Sequence, residues 1–140
     1  MPDASPKVVT VSAPSPGPTV ALLGGVHGDE YEGVIAVRWL INHLRSTLIS
    51  GTIRAVAPAH PTAWETTTRE SPVDGKNLAR VFPGSATGSA TEVVAYELTE
   101  QVIMGADLLI DLHSAGTNFE MPFLCGFQDD AGIVSKTSQR

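Results

Sequence analysis

The chain has little with which to cross-link itself, span a bilayer or grip a polyanion. Cys125 is its only cysteine, so no intrachain disulfide can form. No apolar run approaches the ~18–20 residues that a bilayer span requires, which argues against a membrane partner. Nine Lys and Arg stand against fifteen Asp and Glu, a formal charge of -6, and the basic residues nowhere cluster. A basic face for nucleic acid is excluded with them. The first twenty residues hold five prolines and no basic segment leading into an apolar core. No signal peptide is read there, and a cytoplasmic location is expected.

What is present is a globular composition, 42% hydrophobic and 17% charged over 140 residues. That is one domain's length, enough to bury roughly two thirds of its unfolded surface. Residues 7–12 read as a short strand broken by APSPGP, and residues 19–23 as a buried strand stopping at Gly24-Gly25. A helical pattern over 30–48 can place Ile35, Trp39, Ile41 and Leu44 on one broad apolar face, with Gly51 beyond its end. Residues 52–57 read as a strand. The proline-rich stretch 58–90 is a long irregular segment of the kind that is usually functional. A helix is predicted over 91–104, then the strand ADLLID running into His113, then a last strand over 122–127. This alternation predicts an α/β fold with a mainly parallel or mixed sheet flanked by helices. Such sheets bind ligands at the carboxyl ends of their strands.

Two of the four histidines fall at those ends. In GGVHGDEYEG, His27 and Glu30 are spaced so that imidazole and carboxylate can converge from one turn. His113 ends the next strong strand, 86 residues later. Two histidines and a carboxylate make a three-ligand zinc set with a fourth position for water or substrate. His43 reads as a helix-surface residue and His60 as a loop residue that could border the site. Trp39 and Trp64 read as packing residues, and Cys125 as a buried small residue in an apolar strand.

The ordered motifs GGVHGDEYEG, DGKNLARVFPG and DLLIDLHS, spread over about residues 20–127, resemble the succinylglutamate desuccinylase/aspartoacylase family. These are zinc amidohydrolases related to the metallocarboxypeptidases. The resemblance implies a zinc carboxypeptidase-like fold, a Zn2+ cofactor on His27, Glu30 and His113, and a small N-acyl amino acid or related carboxylate as substrate. It implies that Arg69 polarises the scissile carbonyl, and that Arg80, with Asn77 nearby, binds substrate. A guanidinium suits both arginine roles, because it grips carboxylates bidentately and keeps its charge.

The chain departs from the family's pattern in places. The family's Asn-Arg pair reads Ala79-Arg80 here. Asn77 stands where relatives often carry an acid that orients a zinc ligand, with Asp74 and Asp111 as nearby substitutes. Relatives also continue well past the third ligand to a glutamate that activates water, whereas 27 residues follow His113 here and Glu120 lies too close to serve by position. The expectation is therefore that residues 1–140 are the N-terminal, metal-bearing part of a deacylase domain. The alternatives are a carboxypeptidase acting on a peptide C-terminus and a catalytically incomplete metal-binding domain.

Overall fold

The computed structural model describes residues 5–129 and 132–135. Its elements are β1 (Val8–Ser12), β2 (Ser15–Gly24), α1 (Tyr31–Thr47), β3 (Ser50–Val56), α2 (Pro61–Thr66), α3 (Ala90–Leu98), β4 (Leu108–Leu112), β5 (Gly126–Asp129) and β6 (Gly132–Ser135). A 3-10 turn at Leu78–Arg80 and a wide turn at Thr99–Ile103 complete them. Four strands form one sheet in the order β1-β3-β2-β4, and β5 pairs with β6 in a separate hairpin. β2 runs parallel to both β3 and β4, while β1 is antiparallel to β3. The expected mixed sheet flanked by helices is thus what the chain forms.

Strand alternation sends neighbouring side chains to opposite faces of this sheet. Leu22, Ala55 and Val11 pack with Val37 and Ile41 of α1 on one face. Ala21, Leu23 and Val56 pack with Leu78, Val94, Leu98 and Val102 on the other. Fully burying one such leucine or valine is worth about 1.5–3 kcal/mol, so these two layers supply most of the stabilisation.

Three expectations need correction. Ile35 and Trp39 are about two thirds exposed, and the buried stripe of α1 is Val34, Val37 and Ile41. APSPGP does not end the strand region. β2 begins at Ser15, and a register shift between Ser15 and Thr19 accommodates Pro16 and Pro18 on its exposed end. Residues 122–125 lie outside any strand, and Cys125 is exposed rather than buried.

The irregular segment is tied down at Asp74. Thr91 donates to it from its hydroxyl (2.6 Å) and its backbone N–H (2.8 Å), clamping the segment to the start of α3. Asp74 therefore does not orient a histidine. Burial pushes its carboxyl up, but the bonds from Thr91, Ser89 and Lys76 outweigh that and hold it well below the usual carboxylate range.

A carboxyl lowered on folding stabilises fully above its unfolded value near ~4 and loses that contribution as pH falls. Asp74→Asn is expected to cost about 1–3 kcal/mol near neutral pH, a difference that shrinks below ~pH 3. Urea denaturation of both proteins at the two pH values checks this. A pH-independent difference would show that the charge contributes nothing.

Candidate active site

β2 and β4 are adjacent and parallel, with Gly24 level with Leu112, so the loops that follow them begin side by side. The first loop is pinned by the N–H groups of Ala59 and His60, which donate to the carbonyls of Gly24 (2.9 Å) and Gly25 (3.1 Å). Gly28 lies so close to α2 that a Cβ there would collide with the Ala63 backbone. At Gly33 a Cβ would sit 2.6 Å from the Leu112 carbonyl oxygen, so α1 presses directly on the end of β4. The contacts at Gly24, Gly25 and Gly28 hold the His27 loop against the start of α2, and the one at Gly33 sets α1, with Glu30 at its head, against the strand that leads into His113.

The three side chains converge, with one ligand atom from each lying within 4.8 Å of the others. Glu30 is the residue before α1, but its carboxylate does not cap the helix. It turns inward instead. Oε1 lies 2.8 Å from Nδ1 of His27, and Oε2 lies 2.8 Å from Nδ1 of His113. Arg69 donates to Oε1 at 3.1 Å, and the backbone N–H of Ser114 donates to Oε2 at 2.9 Å. Burial pushes this carboxyl up, yet the bonds from His113, His27 and Ser114 prevail and hold it well below the usual range.

The far side of each imidazole is also engaged. Nε2 of His27 meets Asn77 Oδ1 at 3.1 Å, and that oxygen also accepts the Ala79 N–H at 2.9 Å. An oxygen that already accepts one N–H is the amide carbonyl, so Nε2 of His27 carries a proton. Nε2 of His113 meets Asp111 Oδ2 at 2.8 Å, which a carboxylate can only accept. Both rings thus spend their Nε2 hydrogens outward and aim Nδ1 at the same buried carboxylate. If both Nδ1 atoms were bare, their lone pairs would face those of Glu30. A cation between them removes that conflict, and the donor set of two imidazoles and one carboxylate suits a divalent metal. At His113 a proton on Nδ1 would relieve its half of the conflict. Its pKa is pushed up to about 10 by Asp111 first and Glu30 second, against burial.

Arg69 is at the centre, half exposed, with one nitrogen on Glu30 and the rest of its guanidinium facing outward. Arg80 stands on the turn that follows Asn77; its guanidinium donates to the Ala79 carbonyl at 3.3 Å and makes no ion pair among the described residues. Asn77 has its carbonyl oxygen committed to His27 and Ala79, so only its NH₂ remains for a substrate. His43 is exposed and stacks on Trp39. His60 is fully buried at the start of α2, and burial pushes its pKa down. Glu120 is exposed. Ser114 went unnoticed in the sequence, although it follows His113 directly. Besides its backbone bond to Glu30, its hydroxyl donates to Glu32 at 2.7 Å.

Residues 16–136 match the succinylglutamate desuccinylase/aspartoacylase catalytic domain. The chain is 41% identical over 116 residues to N-alpha-acetyl-L-2,4-diaminobutyric acid deacetylase of Halomonas elongata, covering 82% of this chain and 34% of that protein. A crystal structure of succinylglutamate desuccinylase/aspartoacylase from Rhodobacter sphaeroides superposes with a TM-score of 0.73 at 39% identity, over 78% of this chain and 33% of the other. A carboxypeptidase-like chain from Burkholderia mallei shares the fold alone, at 18% identity and a TM-score of 0.66, over 93% of this chain and 39% of its own. The chain spans about a third of the length of the first two relatives.

Without a divalent ion in the buffer, His113 is expected to titrate near about 10. A raised value means that its stabilisation is complete below the unfolded value of ~6.5 and is lost as pH rises through the folded one. Ring-nitrogen NMR across that range reads the midpoint directly. Asp111→Asn is expected to bring it down, and an unchanged midpoint would remove Asp111 as the main cause.

Proposed function

The chain belongs to the succinylglutamate desuccinylase/aspartoacylase family, and on that premise we propose that it carries the metal-binding part of a zinc-dependent deacylase. The bond broken is the amide of an N-acyl amino acid. The H. elongata relative's activity makes N-acetylated diamino acids the first substrates to try. The observation that carries this reading is the pair of outward-anchored imidazoles aimed at one buried carboxylate.

His27, Glu30 and His113 would hold the zinc. When bound, the metal supplies Lewis-acid polarisation of an acyl carbonyl and a lowered pKa for water. The chain's own residues do the rest. Asn77 and Asp111 hold the two rings in the tautomer that leaves Nδ1 inward. Arg69, anchored to Glu30 by one nitrogen, presents its remaining N–H groups to the oxygen on which negative charge develops. Arg80 is free to pair bidentately with the substrate carboxylate, and the Asn77 NH₂ lies on the same segment to assist it. A catalytically incomplete metal-binding domain is the second reading. It is favoured by the partial exposure of His113 and Asp111, each about a third open to solvent.

Binding of about one zinc per chain is expected, with His27→Ala and His113→Ala each losing most of it. Asp111→Asn and Asn77→Ala are expected to weaken it about 10- to 100-fold. Because His113 holds its proton up to about 10, loading near neutral pH should release about one proton. Calorimetry in buffers of differing ionisation enthalpy measures both quantities. Equal zinc in the wild type and both alanine variants would end the ligand assignment.

Activity is expected to be very low in residues 1–140 alone and substantial in a form extended through the family's length. General acid–base assistance from the further part is worth roughly 10²–10⁴-fold. In the extended form, Arg80→Ala should raise KM with little change in kcat, whereas Arg69→Ala should lower kcat by about 10²-fold or more. Amine release from N-acetyl-2,4-diaminobutyrate and from N-succinyl amino acids is the assay. Equal turnover of the short and extended forms would support a complete catalytic set within this chain.

A further inference from the structure

A groove of about 320 Å³ opens beside α1 at the β1 side of the sheet, across the sheet from β4 and His113. Its floor is apolar. Val9 and Ala55 pair across β1 and β3, Ala57 follows on the same face, and Val37 and Ile41 of α1 complete it. The space exists because β3 offers only methyl groups at Ala55 and Ala57, where a longer side chain would project into it. The rim is cationic. Arg38, Asn42 and Arg45 form one stripe of α1 at i, i+4 and i+7, and Lys7 lines the groove from the start of β1. These three cations lie apart in the sequence, yet they are three of the seven Lys and Arg among the described residues. No carboxylate lines the groove, although the chain carries a net charge of -6. Among the described residues, Lys7 and Arg45 have no ion pair. Arg38 is held in place: its Nε donates to the Ala57 carbonyl at 3.3 Å, and its guanidinium lies 5.7 Å from the centre of the Trp64 ring. Like charges gathered around an apolar floor repel one another until an anion is shared between them.

We propose that this groove binds a small amphiphilic anion, a carboxylate or phosphate head on a short aliphatic body. The body lies on Val9, Ala55 and Ala57, and the head meets Arg45, Lys7 and the terminal nitrogens of Arg38. Guanidinium grips either head bidentately, the ammonium adds a point charge, and the Asn42 amide can donate beside them. Size and charge favour this occupant. The volume is that of a small-ligand site, whereas a standard protein interface covers about 800 Å² on each partner. A second copy docking by a two-fold axis through the groove would set one cationic rim against another. The site lies outside the centre formed by His27, Glu30 and His113 and needs no metal.

Amide NMR titration of the chain with hexyl phosphate and with hexanoate tests this, with hexanol and inorganic phosphate as controls. At least one of the two anions is expected to shift residues 7–11, 38–45 and 53–57 saturably. It should bind at least about 10-fold more tightly than hexanol, which lacks the charge, and than inorganic phosphate, which lacks the body. The tighter of the two anions identifies the head group. Ala57→Leu should abolish binding by filling the floor, with unchanged shifts across β2 and β4 as the folding control. Arg45 is exposed, so Arg45→Ala gives an arm that leaves the core untouched, and it should weaken binding about 10-fold. Lys76→Gln, which removes one charge from the irregular segment, should leave the affinity unchanged. Equal weakening by Arg45→Ala and Lys76→Gln would show that binding follows net charge and would overturn the site. Inorganic phosphate binding as tightly as hexyl phosphate would overturn the apolar half of it. Shifts centred on residues 27, 69, 80 and 113 would overturn it in favour of the metal centre. Shifts at the groove that grow with protein concentration in the absence of any anion would overturn it in favour of a second copy. The absence of a saturable shift from either anion would overturn it outright.

Discussion

A buried carboxylate has to be satisfied, and in this fold Glu30 is the group on which that demand falls. It accepts from Arg69 and the Ser114 backbone and faces both His27 and His113. Those partners come from four separate places: the loop after β2, the residue after β4, the one beyond that, and the irregular segment past α2. Leaving such a group unpaired would cost several kcal/mol, so each piece is obliged to arrive. A residue at the start of a helix would ordinarily spend its carboxylate on the first turn's free N–H groups. Glu30 forgoes that local use, and the loops after β2 and β4 are drawn together as a result.

The two imidazoles are treated differently. His27 is buried and leans on a neutral amide, whereas His113 is partly open and leans on a carboxylate. A carboxylate partner makes the ring it holds more basic than an amide does. One ring is therefore the fixed wall of the site, and the other is its strongly basic, solvent-facing side.

The centre was legible because strand ends and glycines mark it. β2 stops at Gly24-Gly25 and β4 runs straight into His113, so the sequence locates both loops, and the parallel sheet puts them next to each other. The rest was hidden for physical reasons. α1 carries apolar residues around most of its circumference, and periodicity alone could not separate Val34 and Val37 from Ile35 and Trp39; the sheet below decides. Asp74 looks equally suited to a histidine or to a helix start, and only the fold brings Thr91 to it. Cys125 sits in an apolar run that reads as a core strand, yet its neighbours find no partner layer among the described residues. The role of Ser114 depends on a backbone N–H, which every residue but proline possesses, and so it leaves no mark in the sequence.

The contacts at Gly28 and Gly33 carry a consequence for how such a site can evolve. Both are set by main chain against main chain, at the Ala63 and Leu112 carbonyls, with no room for a methyl group. The spacing of the loops that carry these side chains is thus inherited from the backbone and is insulated from drift in the surrounding side chains. The exposed residues of the segment between α2 and α3, Arg80 among them, stand outside those contacts. A lineage can rework that segment while the separation of His27, Glu30 and His113 stays where the backbone puts it.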